Sequence, residues 1–303
     1  FHLQHIRVDD DGRFTTGLDL KRSLLLGRQV FARGFIDWSA WAECLNAVWE
    51  LREASDAERP DHRVVVATSA IRSASNGADL VREIERTHRI AVRVLTPETE
   101  ARLAYLGQST SDVVGGRRVA AVDLGGGSVE IAVGEGTRCI HACSLPVGAI
   151  RMRAQGGAAF GREEARRTAV QVREIVASAL HEVRALDPEV VVFGSGSARA
   201  ARRLLLRESA FAGKIGPIDT ATFRTHLDAH LGYTAEQLVT FGVEPARADS
   251  VLAAATIMLE ILAALGAQQA YVSDKGLRDG AALELYRSLL SQQRKELPEP
   301  AVA

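Results

Sequence analysis

Two acidic residues on either side of a glycine run are the residues best placed to do chemistry in this chain. Asp123 ends an apolar strand predicted at 119–124, and Glu130 starts the returning strand at about 131–133. The turn between them is Gly125, Gly126, Gly127 and Ser128. Glycines let backbone N–H groups approach an anion closely, and carboxylates suit a hard divalent cation. The run therefore indicates a phosphate chain bound together with Mg²⁺, although a tight hairpin with an exposed aspartate would also explain it.

The elements around this hairpin alternate between strands and helices. Ahead of it, the pattern predicts a buried strand and a small-residue turn with Arg72 at 64–77, a helix at 74–88, a strand at 90–95 and a helix from 97 to 107. Behind it, the pattern predicts a helix at 162–186, a strand and glycine turn at 189–200, and a helix at 248–265. This alternation predicts an α/β architecture with parallel strands. Related units in both halves suggest two similar domains that face each other across a cleft.

Composition argues against several classes of partner. The chain has 303 residues, 47% of them hydrophobic, and a net charge of −1. It can bury one large core or two medium ones, but it creates no general field for nucleic acid or an anionic membrane. The three cysteines, Cys44, Cys139 and Cys143, are too few for a disulfide framework and indicate a reducing compartment. The sequence shows no secretory signal and no apolar run of roughly 18 residues, so we expect a soluble, cytoplasmic protein.

Six motifs occur in a characteristic order: ATSAIRSASNG, PETEARLAYLG, VDLGGGSVEIAVG, SLPVGAIRM, VVFGSGSARA and SDKGLRDG. From Phe1 to about Tyr286, the chain resembles the short, two-domain type of the exopolyphosphatase / guanosine pentaphosphate phosphohydrolase (Ppx/GppA) family. The resemblance implies the actin / sugar kinase / Hsp70-like fold, an α/β fold of two ribonuclease-H-like domains with the active site in the interdomain cleft. We expect domain I at 1–106, domain II at 107–281, and a C-terminal helix at about 282–303 that packs back on domain I.

The resemblance assigns the catalytic roles to Glu100 and Arg72. Glu100 resembles the family's catalytic base, which would orient and deprotonate an attacking water, and Glu98 is the reserve candidate. Arg72 resembles the family's phosphate-binding arginine, since a guanidinium offers planar, bidentate donors. Without the resemblance, Glu98 and Glu100 would be first-turn acids that the helix dipole favours, and Arg72 would be a surface arginine in a turn.

The resemblance also assigns the metal and phosphate contacts. Asp123 and Glu130 resemble the acids that organise Mg²⁺ and water, and the turn from Gly125 to Ser128 corresponds to the second phosphate loop. The family usually has Thr where this chain has Val129, so we expect one hydroxyl contact to be missing. A further glycine-hydroxyl turn follows the strand at 189–193, and it either contacts distal phosphates or has no ligand: Gly194, Ser195 and Gly196.

Several other groups of residues have two explanations each. Arg278 and Asp279 in the last motif either act in the site or form an ion pair that packs the last helix, and we favour the ion pair. His226, Asp228 and His230 have spacing that could ligate a metal, but a solvated helix face is the favoured explanation. A basic track along a polyanion competes with solvated helix faces for five arginines: Arg151, Arg153, Arg199, Arg202 and Arg203.

The start of the printed sequence departs from the family's pattern. The family begins with a strand ending in Asp and a Gly-Ser-Asn-Ser/Thr turn, which is its first phosphate loop and a Mg²⁺ contact. Phe1–Leu3 resembles the residues just after that turn. We expect either that the whole protein has residues which this sequence omits, the explanation we favour, or that the protein lacks the loop.

The predicted function is therefore phosphoanhydride hydrolysis: removal of terminal phosphate from inorganic polyphosphate with Mg²⁺. Hydrolysis of pppGpp by the same machinery is the close alternative. A non-catalytic polyphosphate- or nucleotide-binding protein and a phosphotransferase are alternatives from other classes, since related folds host kinases. The expected partners are the polyphosphate substrate and a second copy of the chain in a homodimer, with neither nucleic acid nor a membrane.

Overall fold

The computed structural model describes residues 1–9, 14–24, 26–112, 114–153, 159–206 and 217–296. The strands in these ranges are β1 (His2–Val8), β2 (Phe14–Lys21), β3 (Val66–Ala67), β4 (Arg93–Val94), β5 (Arg118–Leu124), β6 (Val129–Glu135), β7 (Arg138–Leu145), β8 (Val190–Gly194), β9 (Pro217–Asp219) and β10 (Gln269–Val272). The helices of the first half are α1 (Leu26–Arg33), α2 (Trp38–Ala57), α3 (Ser69–Ser73), α4 (Gly77–His88) and α5 (Pro97–Gln108). Those of the second half are α6 (Ala149–Arg153), α7 (Arg162–Ala185), α8 (Ser195–Leu206), α9 (Thr220–His230), α10 (Ala235–Thr240), α11 (Pro245–Ala248), α12 (Val251–Leu265) and α13 (Leu277–Glu296).

A six-stranded mixed sheet forms the centre of the second half. Its strand order is β7-β6-β5-β8-β10-β9, with β5 antiparallel to β6 and parallel to β8. Because β5 is covered on both faces, its sequence is almost continuously apolar. α7, α8 and α12 share the large core on one face, and α12 is buried nearly all round. α5 covers the other face with Tyr105 against Ala121 and Ala132.

The first half contains two smaller sheets. β1 and β2 form an antiparallel hairpin, and β3 and β4 form a parallel pair. The helices α1, α2 and α4 close a separate, smaller core around Cys44, Leu80 and Ile84. Asp37 caps α2 by accepting from Ala40 N at 3.0 Å. A cavity of about 640 Å³ lies between β1 and the segment that leads into β3, with α2 and α13 as its other walls.

α5 and α13 cross at two glycines. A Cβ at Gly107 would lie 1.9 Å from Gly276 O, and a Cβ at Gly280 would lie 1.8 Å from Leu103 O, so only glycine allows this approach. α13 also contacts the first half, where Tyr286 packs edge-on against Phe14 with the ring centroids 5.8 Å apart. The proposed domain boundaries, 106/107 and 281/282, fall inside these two helices. We keep the two-domain division as a proposal in which the helix pair joins the domains.

The structure changes some predicted boundaries. The predicted turn that carries Arg72 is the short helix α3, closed by the bond from Arg72 N to Thr68 O at 3.0 Å. The strands predicted at the start of 64–77 and at 90–95 shorten to two residues each, because β3 and β4 pair only with each other among the described residues. The predicted C-terminal helix starts earlier, at Leu277, and residues 297–303 lie outside the described residues. In the described ranges, every helix is too short or too polar to cross a bilayer.

Candidate active site

The alternation of β5 and β6 decides where their two acids point. Successive side chains on a strand face opposite sides of the sheet. Val122 and Leu124 belong to the core beneath α12, whereas Ala121 packs under α5. Asp123 therefore lies on the α5 side of β5, and Glu130 lies on the same side of β6, where Ala132 contacts α5. The same face receives the first turns of α5.

Asp123 and Glu130 are direct cross-strand partners in the β5–β6 hairpin. Asp123 is half-buried, and Glu130 is only 3% exposed. Ser144 on β7 donates from Oγ to Glu130 Oε1 at 2.8 Å. Like charges directly opposite each other destabilise a sheet, so this pair has a cost that the fold alone does not explain. A bound cation would remove that cost.

Glu100 on α5 completes a cluster of three carboxylates with this pair. Thr96 caps α5 by accepting from Thr99 N at 3.2 Å, and the helix that follows directs Glu100 inward, 7% exposed. Glu98, two residues earlier, is exposed. Of the two candidates for the base, only Glu100 therefore faces the acid pair.

Burial and mutual repulsion raise the pKa values of this carboxylate cluster. Burial raises the pKa of Glu130 to about 8, and the charges of Glu100 and Asp123 add to the shift. Burial and the charge of Glu100 raise the pKa of Asp123 to about 6, while Arg199 and Arg278 oppose the rise. Burial also raises the pKa of Glu100, against hydrogen bonds from Arg72 and Thr68 that favour the charged form. A carboxyl with a raised pKa is suited to proton transfer near neutral pH.

Arg72 on α3 holds Glu100 directly. Its Nη1 donates to Glu100 Oε2 at 2.8 Å and to Leu95 O at 2.7 Å. Within the described ranges, Nε and Nη2 of Arg72 have no protein acceptor, and the side chain is 23% exposed. Arg72 can therefore position the carboxylate and still offer two N–H groups to a phosphate oxygen.

The glycine turn presents backbone donors beside the carboxylate cluster. Gly125 N donates across the turn to Ser128 O at 3.0 Å. The backbone N–H groups of Gly126, Gly127 and Ser128 donate to no protein acceptor in the part of the chain that the structure describes. Three unpaired N–H groups in succession form an anion-binding concavity, as the sequence predicts for a phosphate loop.

Close packing also requires glycines in this turn. A Cβ at Gly127 would lie 1.9 Å from Cζ of Phe31 on α1, and one at Gly126 would lie 2.8 Å from Cδ1 of Ile150. Arg151 stacks over the Phe31 ring, 4.3 Å from its centroid, and donates from Nε to Gly127 O at 2.7 Å. Phe31, Ile150 and Arg151 thus pack against the turn, while its backbone N–H groups remain available.

The second predicted turn, Gly194 to Gly196, is the junction of β8 and α8. Ser195 adopts φ +86°, a left-handed conformation that is uncommon outside glycine, and its Oγ donates to Leu124 O at 2.6 Å. A Cβ at Gly194 would lie 2.4 Å from Gln108 Nε2, and one at Gly196 would lie 2.0 Å from Arg247 Nη2. Packing accounts for both glycines, and the guanidinium of Arg247 covers the start of α8.

Sequence reasoning named Arg199 and Arg278 on the basic side of the site but missed Arg247. Arg199 and Arg278 are both half-buried and act electrostatically on Asp123. Burial and the charges of Arg247 and Arg278 lower the pKa of Arg199, which shows that the three guanidinium groups crowd together. Arg278 also donates to Gln4 Oε1 at 3.1 Å. The GLRDG motif indicated Arg278 and the candidate basic track included Arg199, but arginines in separate helices carry no sequence signal that they converge.

The structure decides between several of the explanations left open by the sequence. The favoured Arg278–Asp279 ion pair is wrong, because Asp279 instead accepts from Gly276 N at 3.0 Å and Lys275 Nζ at 3.4 Å at the start of α13. His230 is not on a solvated face, since it is 4% exposed and its Nδ1 donates to His226 O at 2.7 Å. Of the five candidate track arginines, Arg199 alone interacts with Asp123; Arg153 and Arg202 are buried.

The donor set fits a divalent cation that shares its coordination with substrate. No group of three or more His, Cys, Asp or Glu in the described ranges is arranged to hold a metal by itself. Mg²⁺ usually binds one or two carboxylates and completes its shell with waters and substrate phosphates. Two opposed carboxylates with raised pKa values, Asp123 and Glu130, satisfy that requirement beside three unpaired backbone donors.

Known proteins are similar to this chain over most of its length. A family model described as the Ppx/GppA phosphatase family matches residues 6–289. Among curated proteins, exopolyphosphatase 1 of Mycobacterium tuberculosis (strain ATCC 25618 / H37Rv) is 24% identical over 290 residues, which are 93% of this chain and 84% of the relative. Exopolyphosphatase 1 of Mycobacterium bovis (strain ATCC BAA-935 / AF2122/97) matches equally well.

Solved structures share the fold over nearly the whole chain. The crystal structure of the Aquifex aeolicus member of the Ppx/GppA family is 25% identical, with a TM-score of 0.77 over 96% of this chain and 94% of that chain. An exopolyphosphatase from Cytophaga hutchinsonii ATCC 33406 has a TM-score of 0.86 at 22% identity, over 95% of this chain and 94% of that chain. The α/β fold class predicted from the motifs is confirmed.

Proposed function

The chain belongs to the Ppx/GppA phosphatase family, and from this premise we propose that it removes the terminal phosphate of inorganic polyphosphate. The observation that carries the proposal is the position of Glu100, which lies beside the Asp123–Glu130 pair at the unpaired N–H groups of the glycine turn. The curated relatives named exopolyphosphatase 1 support polyphosphate as the substrate. Hydrolysis of pppGpp by the same groups is the second candidate, because the family includes guanosine pentaphosphate phosphohydrolases as well as exopolyphosphatases.

In the proposed reaction, Glu100 accepts a proton from a water whose oxygen attacks the terminal phosphorus. The bridging P–O bond breaks, orthophosphate is released, and the shortened chain leaves with the bridging oxygen. Arg72 orients Glu100 through Nη1 and offers Nε and Nη2 to the phosphate. The backbone N–H groups of Gly126, Gly127 and Ser128 hold phosphate oxygens, as preorganised donors do at developing negative charge.

Asp123 and Glu130 would hold the Mg²⁺ ion in this proposal. A bound Mg²⁺ would neutralise charge on the phosphate oxygens during transfer. Arg199 and Arg278, which act on Asp123, would draw the polyanion toward the carboxylate cluster and offset its negative charge. Ser144 fixes the orientation of Glu130 through the bond to Oε1.

The test compares Glu100→Gln with Glu98→Gln, an exposed acid on the same helix turn. Phosphate release is measured from long-chain polyphosphate and from pppGpp, with Mg²⁺ and with a chelator, after matched thermal melts show that both variants fold. Loss of a general base should lower kcat by roughly a hundredfold or more in Glu100→Gln, while Glu98→Gln should stay within twofold. Equal effects of the two variants on kcat would refute the role of Glu100 as the base. Faster hydrolysis of pppGpp than of polyphosphate would make pppGpp the substrate of the same site.

A further inference from the structure

Glu244, at the start of α11, joins basic side chains from both halves of the chain. Its Oε2 accepts from Lys21 Nζ at the end of β2, at 3.1 Å, and from Arg247 Nε at 3.2 Å. Lys21 and Glu244 are separated by 223 residues in sequence. Partial burial disfavours the charged carboxylate, but Lys21 and Arg247 outweigh it and lower the pKa of Glu244 below its usual value. Glu244 is therefore anionic at neutral pH.

Asp249, just after α11, likewise accepts from two basic side chains. Its Oδ2 accepts from Arg28 Nη2 on α1 at 2.5 Å, and its Oδ1 accepts from Arg153 Nε on α6 at 3.1 Å. Four cations thus contact the two carboxylates of Glu244 and Asp249. We call the four the outer cation group: Lys21, Arg28, Arg153 and Arg247.

The outer cation group is continuous with the candidate active site. Arg247 acts electrostatically on Arg199 and Arg278, and both of these act on Asp123. The guanidinium of Arg247 also covers the start of α8 at Gly196. A line of positive charge therefore runs from the carboxylate cluster to Lys21 and Arg28, past the end of β8.

Exposure makes the outer ion pairs easy to exchange. The side chains of Lys21 and Arg28 are 38% and 43% exposed, and that of Glu244 is 51% exposed. Ion pairs of this kind change an equilibrium constant by only about fivefold or less. Phosphate groups match a guanidinium fork at least as well as a carboxylate does, and a chain presents several of them at once. A long polyanion can therefore displace Glu244 from Lys21 and compete with Asp249 for Arg28, while Asp249 keeps its bond to the buried Arg153.

We propose that Lys21 and Arg28 form an outer subsite for the distal phosphates of a phosphate chain, which Glu244 and Asp249 occupy until the chain displaces them. The subsite rests on the proposed function, since it lengthens the same binding track. It should favour long chains over short ones, because only a chain with phosphates beyond those held at the carboxylate cluster can occupy both places at once.

Breaking one ion pair from either side separates a binding role from a structural one. Lys21→Met and Glu244→Gln both remove the Lys21–Glu244 pair, and Arg28→Met provides an independent variant at the second pair. A purely structural pair would change KM in the same direction in Lys21→Met and Glu244→Gln. A subsite predicts opposite signs, because one variant removes a substrate contact and the other removes a competitor.

We expect Lys21→Met and Arg28→Met to raise the KM for long-chain polyphosphate roughly threefold or more, and Glu244→Gln to lower it. The KM for tripolyphosphate should stay within twofold in all three. Matched controls come from the exposed Arg82–Asp79 pair on α4, away from the site: Arg82→Met and Asp79→Asn should leave both constants unchanged. The subsite would be overturned if Lys21→Met and Glu244→Gln changed the KM for long-chain polyphosphate in the same direction. It would also be overturned if Lys21→Met left the ratio of the KM for polyphosphate to the KM for tripolyphosphate unchanged.

Equilibrium binding keeps this test independent of turnover. Calorimetric titration of long-chain polyphosphate and tripolyphosphate into each variant should show the same opposite signs in Kd. If the parent protein hydrolyses neither compound, the proposed function fails while the binding series still decides the subsite. If the parent hydrolyses both and the binding series shows no dependence on chain length, the subsite fails and the proposed function stands.

Discussion

At the scale of single residues, the site depends on carboxylates that repel one another. Asp123 and Glu130 are opposed in the hairpin, and Glu100 approaches them from α5. Among the described residues, the one ion pair that these carboxylates make is that of Glu100 with Arg72, while Arg199 and Arg278 act on Asp123 without a direct contact. This arrangement favours the protonated forms of the carboxyl groups in the isolated protein. A bound cation or nearby basic side chains would stabilise the ionised forms.

This repulsion predicts how stability depends on pH. The native state holds the pKa of Glu130 at about 8, above the value of about 4.3 in an unfolded chain. The native state therefore binds more protons between these values, and the free energy of unfolding falls as pH rises through this window. In metal-free buffer, Glu130→Gln should be more stable than the parent at pH 8, by at most about 5 kcal/mol, and equally stable near pH 4.

Urea unfolding at the two pH values measures this difference, with Glu98→Gln as the control for loss of an exposed carboxylate. An equal loss of stability in Glu130→Gln at both pH values would show that the side chain is held by its hydrogen bond to Ser144 and not strained by charge.

At the scale of elements, the glycine turn both presents unpaired backbone N–H groups and packs against α1, and a mutation can separate these two roles. Gly127 does not have a positive φ, so alanine is compatible with its backbone. The obstacle is the Phe31 ring, whose Cζ would lie 1.9 Å from the new Cβ. The contact joins α1 to the hairpin of β5 and β6, and it brings Arg151 over the same ring.

Gly127→Ala should therefore destabilise the protein by about 1–3 kcal/mol, the usual cost of overpacking. Phe31→Leu removes the obstacle, so the double variant Phe31→Leu/Gly127→Ala should be less destabilised than the sum of its single variants. A double-mutant cycle of urea unfolding gives the coupling energy. Strict additivity would mean that the alanine acts through the backbone or through the phosphate loop itself.

The hairpin was predictable from sequence because its information is local. A continuous apolar run, a glycine turn and an acid on each side of it define both β5 and β6. α5 was equally clear, since Thr96 and Pro97 mark its start. The pairing of Glu100 with Asp123 and Glu130 depends on how α5 packs on the sheet, and the motif resemblance supplied it, not the local pattern.

The convergence of the basic side chains could not be predicted for the same reason, although Arg199 and Arg278 were named as candidates. Arg199, Arg247 and Arg278 come from α8, α11 and α13, and each looks like an ordinary surface arginine in its own helix. Their convergence follows from the order of β8 and β10 in the sheet. Asp279 was misassigned because sequence adjacency to Arg278 suggested a pair, whereas the start of α13 uses the carboxylate to cap Gly276 N.

At the scale of the whole molecule, the two halves differ in how much holds them together. The second half has six paired strands and a core that surrounds α12. The first half has two separate two-stranded sheets, a smaller core and a cavity of about 640 Å³ beside β1. Two-stranded sheets are marginally stable by themselves, and regions with fewer buried contacts open locally before the whole protein unfolds.

Hydrogen exchange should therefore separate the halves. We expect amides of β5, β8 and α12 to exchange last, at a rate set by global unfolding, and amides of β1–β4 to exchange at least about tenfold faster through local opening. α5 and α13 should follow the second half, because their crossing at Gly107 and Gly280 leaves no room for one to move without the other. Mass spectrometry of peptic peptides over a time course measures these rates. Equal protection in β1–β4 and in β5 would mean that the paired helices carry the stability of the large core into the first half, so that the molecule opens as one unit.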